Sequence, residues 1–441
     1  MGTAAGASDA HTGGDAQSGA HTREPIHRWL AEHRDEAESF LAALVREPSD
    51  NPPGDCARHA AKAAALLEAM GLDVERHVVP QEDVVAHGMR SCTNLVVRVR
   101  FGTGGGPTIA LSAHGDVVPP GEHWTHDPYG AEVRDGVMYG RGVAVSKSDF
   151  ATYAFALRAL RAAAQEGVEL DGTVELHFTY DEETGGEIGP AWLLSQGVTA
   201  PDFAIAAGFS YAITTAHNGC LHLEVEVLGQ SGHAAEPERA VDALEATNGI
   251  LTGLYALRKT YADIVSNVPG IRHPTLVVGL IEGGINTNVV PDKVRLRLDR
   301  RIIPEESPAE VEAALRRRIE TLARSWPGIS VNVRRVLLAL PFVPIPGQQR
   351  LVEAIARSGR DVFGLTLPAH GVPIYTDARH YTAAGIPTVL YGAGPRTLAE
   401  ANGHRADERL RLDDLHRATE VVALALCDLL EPADSSATRD E

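Results

Sequence analysis

Four cysteines in 441 residues, Cys56, Cys92, Cys220 and Cys427, are scattered with no paired spacing. That excludes a disulfide framework and a zinc site built from cysteines, and it fits a reducing cytoplasm. Basic residues are also short, 40 against 59 acidic, which leaves a net charge of −19. Nucleic acid and anionic membrane are thereby excluded as partners, and an anionic substrate must be met by locally placed Arg or His. No uncharged apolar run approaches the ~20 residues of a membrane span. Residues 1–24 are small and polar, with neither a basic start nor an apolar run. They read as a disordered tail and not as a secretory signal, so a cytoplasmic protein is expected. A Gly-x-Ser-x-Gly elbow is missing as well. Gly208-Phe-Ser210 is followed by Tyr211 and Ala212, so a serine hydrolase is not indicated.

What is present begins with Val174–Gly186, VELHFTYDEETGG. Its first half alternates and is rich in β-formers, so it reads as a strand running into Asp181, Glu182 and Glu183. Alone, such a run is a solvated turn. At the carboxyl end of a strand in an open α/β sheet, however, acids are candidates for metal ligation or proton transfer. A second stretch of this kind is Leu111–Pro119, where a strand ends and His114 and Asp116 project from it. Histidine two residues from aspartate suits a metal ligand oriented by a neighbouring carboxylate.

The length exceeds the ~250–300 residues of one core, so two domains are expected. Helices are expected at about 24–45, 56–70 and 150–164, and strands at 74–79, 94–100, 108–113 and 202–207. The cluster Gly102-Thr-Gly-Gly-Gly106 is followed by Pro107 and a strand, not a helix. It therefore reads as a hairpin turn and not as a phosphate loop. Lys147, at the start of a helix whose dipole opposes it, is expected to face the crevice or a carboxylate. From about His217 the order becomes strand, helix, strand, strand, helix, strand, the pattern of a compact α+β insertion. It carries His233, Asn288 and Arg301. The last hundred residues return to α/β texture and contain His404-Arg-Ala-Asp-Glu408 and a closing helix. The expected boundaries are a tail at 1–24, catalytic halves at 25–216 and 338–432, the insertion at 217–337 and a second tail at 433–441.

Six stretches in this order, His114-x-Asp116-Val-Val-Pro, Gly140-Arg-Gly, Asp181-Glu-Glu, His233, Asn288-Val-Val-Pro-Asp with Asp-x-Arg301, and His404-x-x-Asp-Glu, carry a resemblance. From about residue 30 to 430 the chain resembles the metallopeptidase family of aminoacylases, acetylornithine deacetylases, succinyl-diaminopimelate desuccinylases and carboxypeptidase G-like enzymes. The resemblance implies a phosphorylase/hydrolase-like α/β catalytic domain with a mixed sheet, interrupted by an inserted α+β (ferredoxin-like) dimerisation domain. It implies a homodimer and two zinc ions on five ligands. Residue by residue, His114, Glu183 and His404 look like metal ligands, Asp116 like the carboxylate orienting His114, and Glu182 like the general base. His233 looks like an oxyanion contact supplied across the dimer, and Asn288 and Arg301 like the pair that positions a substrate carboxylate. Arg suits that task because its fork meets a carboxylate with two hydrogen bonds.

Two ligand positions of the family pattern are filled otherwise. The bridging aspartate two residues before Lys147 is Val145, and the acid expected after the strand at 202–206 is Gly208. Three residues do not hold two ions and their four positive charges. Three outcomes stay open: one central zinc on His114, Glu183 and His404, Asp149 as a replacement acid, or no metal, with Lys147 neutralising Glu182 or Glu183. The function expected is hydrolysis of an amide, N-acyl or N-carbamoyl bond in a small anionic amino-acid-like substrate. The alternatives are a metal-independent lyase, cyclase or amide-forming enzyme using Glu182 and Lys147, and a non-catalytic binding protein.

Overall fold

A computed structural model describes residues 14–432 of the chain. The fold is mixed α/β and divides into two compact units. Unit 1 comprises residues up to Ile213 with Pro346–Pro368 and the segment from Ile386 onward, and unit 2 comprises Thr214–Ile345 with Ala369–Gly385. The second unit thus starts three residues earlier than the expected insertion, ends eight later, and takes in a separate segment near residue 377. Among the described residues no helix is long and apolar enough to cross a membrane.

In unit 1 six strands lie side by side in the order Val74–Val78, Thr93–Phe101, Gly172–Thr179, Thr108–His114, Phe203–Ala206 and Thr388–Leu390. The last four run parallel, while Thr93–Phe101 is antiparallel to Gly172–Thr179. Strands Thr108–His114, Phe203–Ala206 and Thr388–Leu390 are largely apolar, as strands covered on both faces are, while Gly172–Thr179 alternates and buries Glu175 and His177. Because His114 is in register with Thr179, both chemical stretches leave the sheet at the same carboxyl edge. Helix Lys147–Gln165, rich in Ala with Phe150, Tyr153 and Phe155, is buried almost all round and forms the centre of this unit's core with helix Leu412–Leu429.

Three expectations are corrected. Gly102–Gly106 is not a hairpin turn, because Gly172–Thr179 lies between the strands on either side of it. The loop wraps the Asp171 carboxylate instead, whose Oδ1 accepts from Thr103 Oγ1, Gly104 N and Gly105 N at 2.9, 2.8 and 3.3 Å. A Cβ on Gly106 would lie 2.2 Å from the Asp171 carbonyl oxygen, so only glycine permits this crossing. The expected helix at 24–45 is two helices, Gly14–Glu32 and Arg34–Val45, broken at His33. The first of these takes in residues 14–24 of the expected tail, and Arg23 is held there by Asp428 of the closing helix at 2.7 Å. The expected tails at 1–13 and 433–441 lie outside the described residues.

Unit 2 contains a four-stranded antiparallel sheet in the order Thr275–Gly283, Lys293–Ile302, Gly219–Leu228 and Ser330–Ala339. Helices Ala243–Thr260 and Pro308–Ala323 follow the first and third strands in chain order, which gives a βαββαβ arrangement. Leu221, Leu223, Val225 and Val227 alternate into a core with Ile250, Leu254, Leu315 and Ile319 of the two helices. The strand Thr275–Gly283 is an edge, and it leaves Val277, Leu280 and Ile281 about half exposed.

Candidate active site

The site is assembled at the carboxyl edge of the unit 1 sheet. His114 ends its strand with its ring buried. Its Nδ1 faces the Asp116 carbonyl at 3.0 Å and Asp116 Oδ1 at 3.3 Å, which leaves Nε2 free. Asp116, fully buried, is the hub of the site. Its carboxylate accepts from Asn51 Nδ2 at 2.9 Å and from the main-chain N–H groups of Glu182 and Glu183 at 3.3 and 3.2 Å. One side chain therefore orients His114 and aims the short helical turn Glu182–Thr184.

Glu182 Oε2 lies 3.9 Å from His114 Nε2, and Glu183 Oε1 lies 3.3 Å from His404 Nε2. Ligand atoms of His114, Glu182 and Glu183 all fall within 4.8 Å of one another. His404 arrives from far along the chain because strand Arg409–Arg411 pairs with Val137–Tyr139 and Gly140 N donates to the Glu408 carbonyl at 2.9 Å. It sits at φ 61°, a left-handed conformation uncommon outside glycine. Burial opposes charge on His114, but Glu182, Asp116 and Glu183 outweigh it and hold the imidazole well above its ordinary pKa. His404 is raised too, first by its contact with Glu183.

Glu183 Oε1 is buried and its partner is His404 Nε2 at 3.3 Å. His114 Nε2, Glu182 and Glu183 converge, with His404 beside Glu183, and this is a donor set that fits a single divalent ion. A second ion is another matter. Val145 is apolar and packs against the core of unit 1. At Gly208 a Cβ would lie 2.7 Å from Leu390 C and Tyr391 N, so the main chain after strand Thr388–Leu390 occupies the space a side chain needs.

Lys147 lies elsewhere than expected. Its buried Nζ donates to the Leu44 and Glu47 carbonyls at 3.2 and 3.0 Å, at the end of helix Arg34–Val45, and it does not reach toward Glu182 or Glu183. Burial lowers its pKa to about 8. Asp149 is committed as well, for its Oδ1 accepts from Ala393 N at 2.7 Å and its carboxyl is pushed up to about 7 by burial. Neither stands in for the missing acids.

Sequence reasoning assigned no role to three residues that the structure makes part of the site. Asn51 lies in the turn after helix Arg34–Val45 and holds Asp116. Arg141 and Glu408 sit inside two of the motifs, and they form a fully buried ion pair at 2.6 Å. Glu408 Oε1 also accepts from Ala144 N and Val145 N at 3.0 and 3.2 Å, so it pins the loop before Lys147. Only their occurrence in the ordered motifs could have marked them.

In unit 2 the two-stranded ribbon Gly232–His233 with Val289–Val290 brings His233 beside Asn288, whose carbonyl accepts from Ala234 N at 3.0 Å. Both side chains are exposed. Arg301 is half-buried, bound through Nε and Nη2 to Asp299 at 3.0 and 3.2 Å, and lies over the Tyr375 ring.

The model of peptidase family M20/M25/M40 matches residues 110–428. The chain is 29% identical over 348 residues to an acetylornithine deacetylase of Proteus mirabilis, covering 78% of this chain and 83% of the relative. It is 29% identical over 327 residues to a succinyl-diaminopimelate desuccinylase of Rhizorhabdus wittichii, covering 72% and 80%. Human carnosine dipeptidase 1 superposes with a TM-score of 0.72 at 20% identity, over 93% of this chain and 99% of that one.

Proposed function

Because the chain belongs to the M20/M25/M40 peptidase family, whose members are hydrolases and typically metal-dependent, we propose that it cleaves an amide, N-acyl or N-carbamoyl bond in a small anionic amino-acid derivative, with one zinc ion per chain. The observation that carries this reading is the placement of Glu182. Its amide is fixed by Asp116 and its carboxylate sits beside the free nitrogen of His114.

His114, Glu183 and His404 would hold the ion, with Glu182 next to it. When bound, zinc supplies Lewis acidity toward the scissile carbonyl and the attacking water. Glu182 takes the proton from that water and delivers it to the leaving amine. Asp116 keeps His114 in one tautomer through Nδ1 and keeps the Glu182 turn from drifting. His233, from the partner protomer, meets the oxyanion, and Asn288 and Arg301 take the substrate's carboxylate. The names of the relatives, a deacetylase and a desuccinylase, support an acylated amino acid as the substrate class. The exposed apolar edge strand Thr275–Gly283 supports the homodimer.

The test is elemental analysis of protein purified without added metal, with activity on N-acetyl and N-succinyl amino acids measured before and after chelation. About one zinc per chain, activity lost on chelation and restored by zinc is the expected result. Metal-free protein with full activity would remove the proposal.

A further inference from the structure

We propose that Cys220, His222 and Asp299 form a second metal site, for a borderline divalent cation such as zinc or cobalt, within unit 2. On strand Gly219–Leu228 the residues Leu221, Leu223, Val225 and Val227 enter the helix-backed core, so Cys220 and His222 project from the opposite face of the sheet. Asp299 is in register with His222, and Arg301 with Cys220. All of these groups lie inside one unit and take no part in the cluster around His114 and Glu183.

The geometry is convergent. His222 Nε2 lies 3.2 Å from Cys220 Sγ and 3.1 Å from Asp299 Oδ2, and Sγ lies 3.8 Å from that oxygen. With ligand bonds of ~2.0–2.3 Å, neighbouring donors of a tetrahedral zinc stand about 3.3–3.6 Å apart. The three observed spacings bracket that range, so an ion fits with little movement, and the half-exposed His222 leaves a fourth position for water.

A Cys–His–Asp proton relay is the competing reading, and the ring rejects it. A relay uses both nitrogens, one toward the sulfur and one toward the carboxylate, whereas here the same Nε2 meets both. Three donors pointing at one spot suit a cation. Arg301 donates to both Asp299 oxygens, Nε to Oδ1 at 3.0 Å and Nη2 to Oδ2 at 3.2 Å, and the Nε bond to Oδ1 is the outer support that ligating carboxylates commonly have. Spacing along the chain could not show the site, because its acid comes from a strand 79 residues away from the cysteine.

In the binding step the ion loses water, the thiol S–H bond breaks, a metal–sulfur bond forms, and the proton goes to solvent. The ion adds two positive charges and the thiolate one negative, so the surroundings of Arg301 become one unit more positive. An anionic substrate held by Arg301 is then bound more tightly. This last step rests on the proposed role of Arg301, and the metal site does not.

Titration of the full-length protein with cobalt(II) separates the two. A thiolate-to-cobalt charge-transfer absorption in the near ultraviolet is expected for the parent and for Cys427→Ser, and its loss is expected in Cys220→Ser and in His222→Ala. His222 is partly exposed, so its variant decides the matter even where Cys220→Ser does not fold. No band in the parent at saturating cobalt, or a band unchanged in both variants, overturns the site. With the band present, a lower KM at unchanged kcat in the parent but not in Cys220→Ser supports the coupling, and an equal KM in both removes the coupling alone.

Discussion

The Asp116 carboxylate accepts the main-chain N–H of Glu183 at 3.2 Å while its other oxygen faces the ring nitrogen of His114 at 3.3 Å. One buried acid thus sets the positions of two groups from different strands. Asp116→Asn should keep the fold but lower zinc affinity by about 10–100-fold, since the amide replaces an acceptor with a donor facing main-chain N–H groups or His114. Competition with a chromophoric chelator measures it, and an unchanged affinity would show that Asp116 does not orient the ligands.

Glu182→Gln removes the proton acceptor and preserves the shape. A loss of about 10²–10⁴-fold in kcat is expected with zinc content and thermal midpoint unchanged. Near-parental turnover in this variant would rule out Glu182 as the base.

Gly208→Glu supplies the acid that the family pattern has at this position, yet it should not create a second metal position. Its Cβ meets main-chain atoms at 2.7 Å, so the expected result is destabilisation by about 2 kcal/mol or more and an unchanged metal count. Two ions per chain in a stable variant would contradict the steric argument.

If His233 acts across the dimer, Glu182→Gln and His233→Ala subunits complement each other. In an equal, fully exchanged mixture half the dimers are mixed and each has one intact site, so about a quarter of parental activity should return. No recovery after verified exchange would place His233 in its own protomer's chemistry.

Glu175 gives the expected acid dependence of stability. Burial alone would push its carboxyl up. Hydrogen bonds from His177 at 2.9 Å, from Thr199, and from Arg98 at 2.8 Å outweigh burial and hold it down to about 2. The folded state therefore favours the ionised form. About 3 kcal/mol of stability is present above the unfolded-state value of ~4.3 and is lost as pH falls through that range toward about 2. Urea unfolding between pH 6 and about 3 should show a steeper decline for the parent than for Glu175→Gln, and parallel curves would refute the assignment.

Much of unit 1 could be read directly from the chain, because the apolar runs 108–113 and 202–207 and the alternating run at 174–180 carry their strand character locally. The same holds for the acids after Thr179 and the histidine after Ala113, which strand order alone assigns to a carboxyl edge. The βαββαβ order of unit 2 was also visible as a change of periodicity near His217.

Other features depend on partners distant in sequence. Lys147 looks like a crevice residue until helix Arg34–Val45 presents its terminal carbonyls. Gly208 looks like a simple substitution until the main chain after Leu390 closes over it, and Gly102–Gly106 looks like a hairpin until strand Gly172–Thr179 inserts beside it. Hydrophobic periodicity and motif order are properties of neighbouring residues, so the sequence by itself determined the strands, the helices and the roster of chemical groups. Which groups meet, which are captured elsewhere and where a side chain has no room are set by packing between segments up to hundreds of residues apart, as between Arg141 and Glu408, and only the tertiary structure decided them.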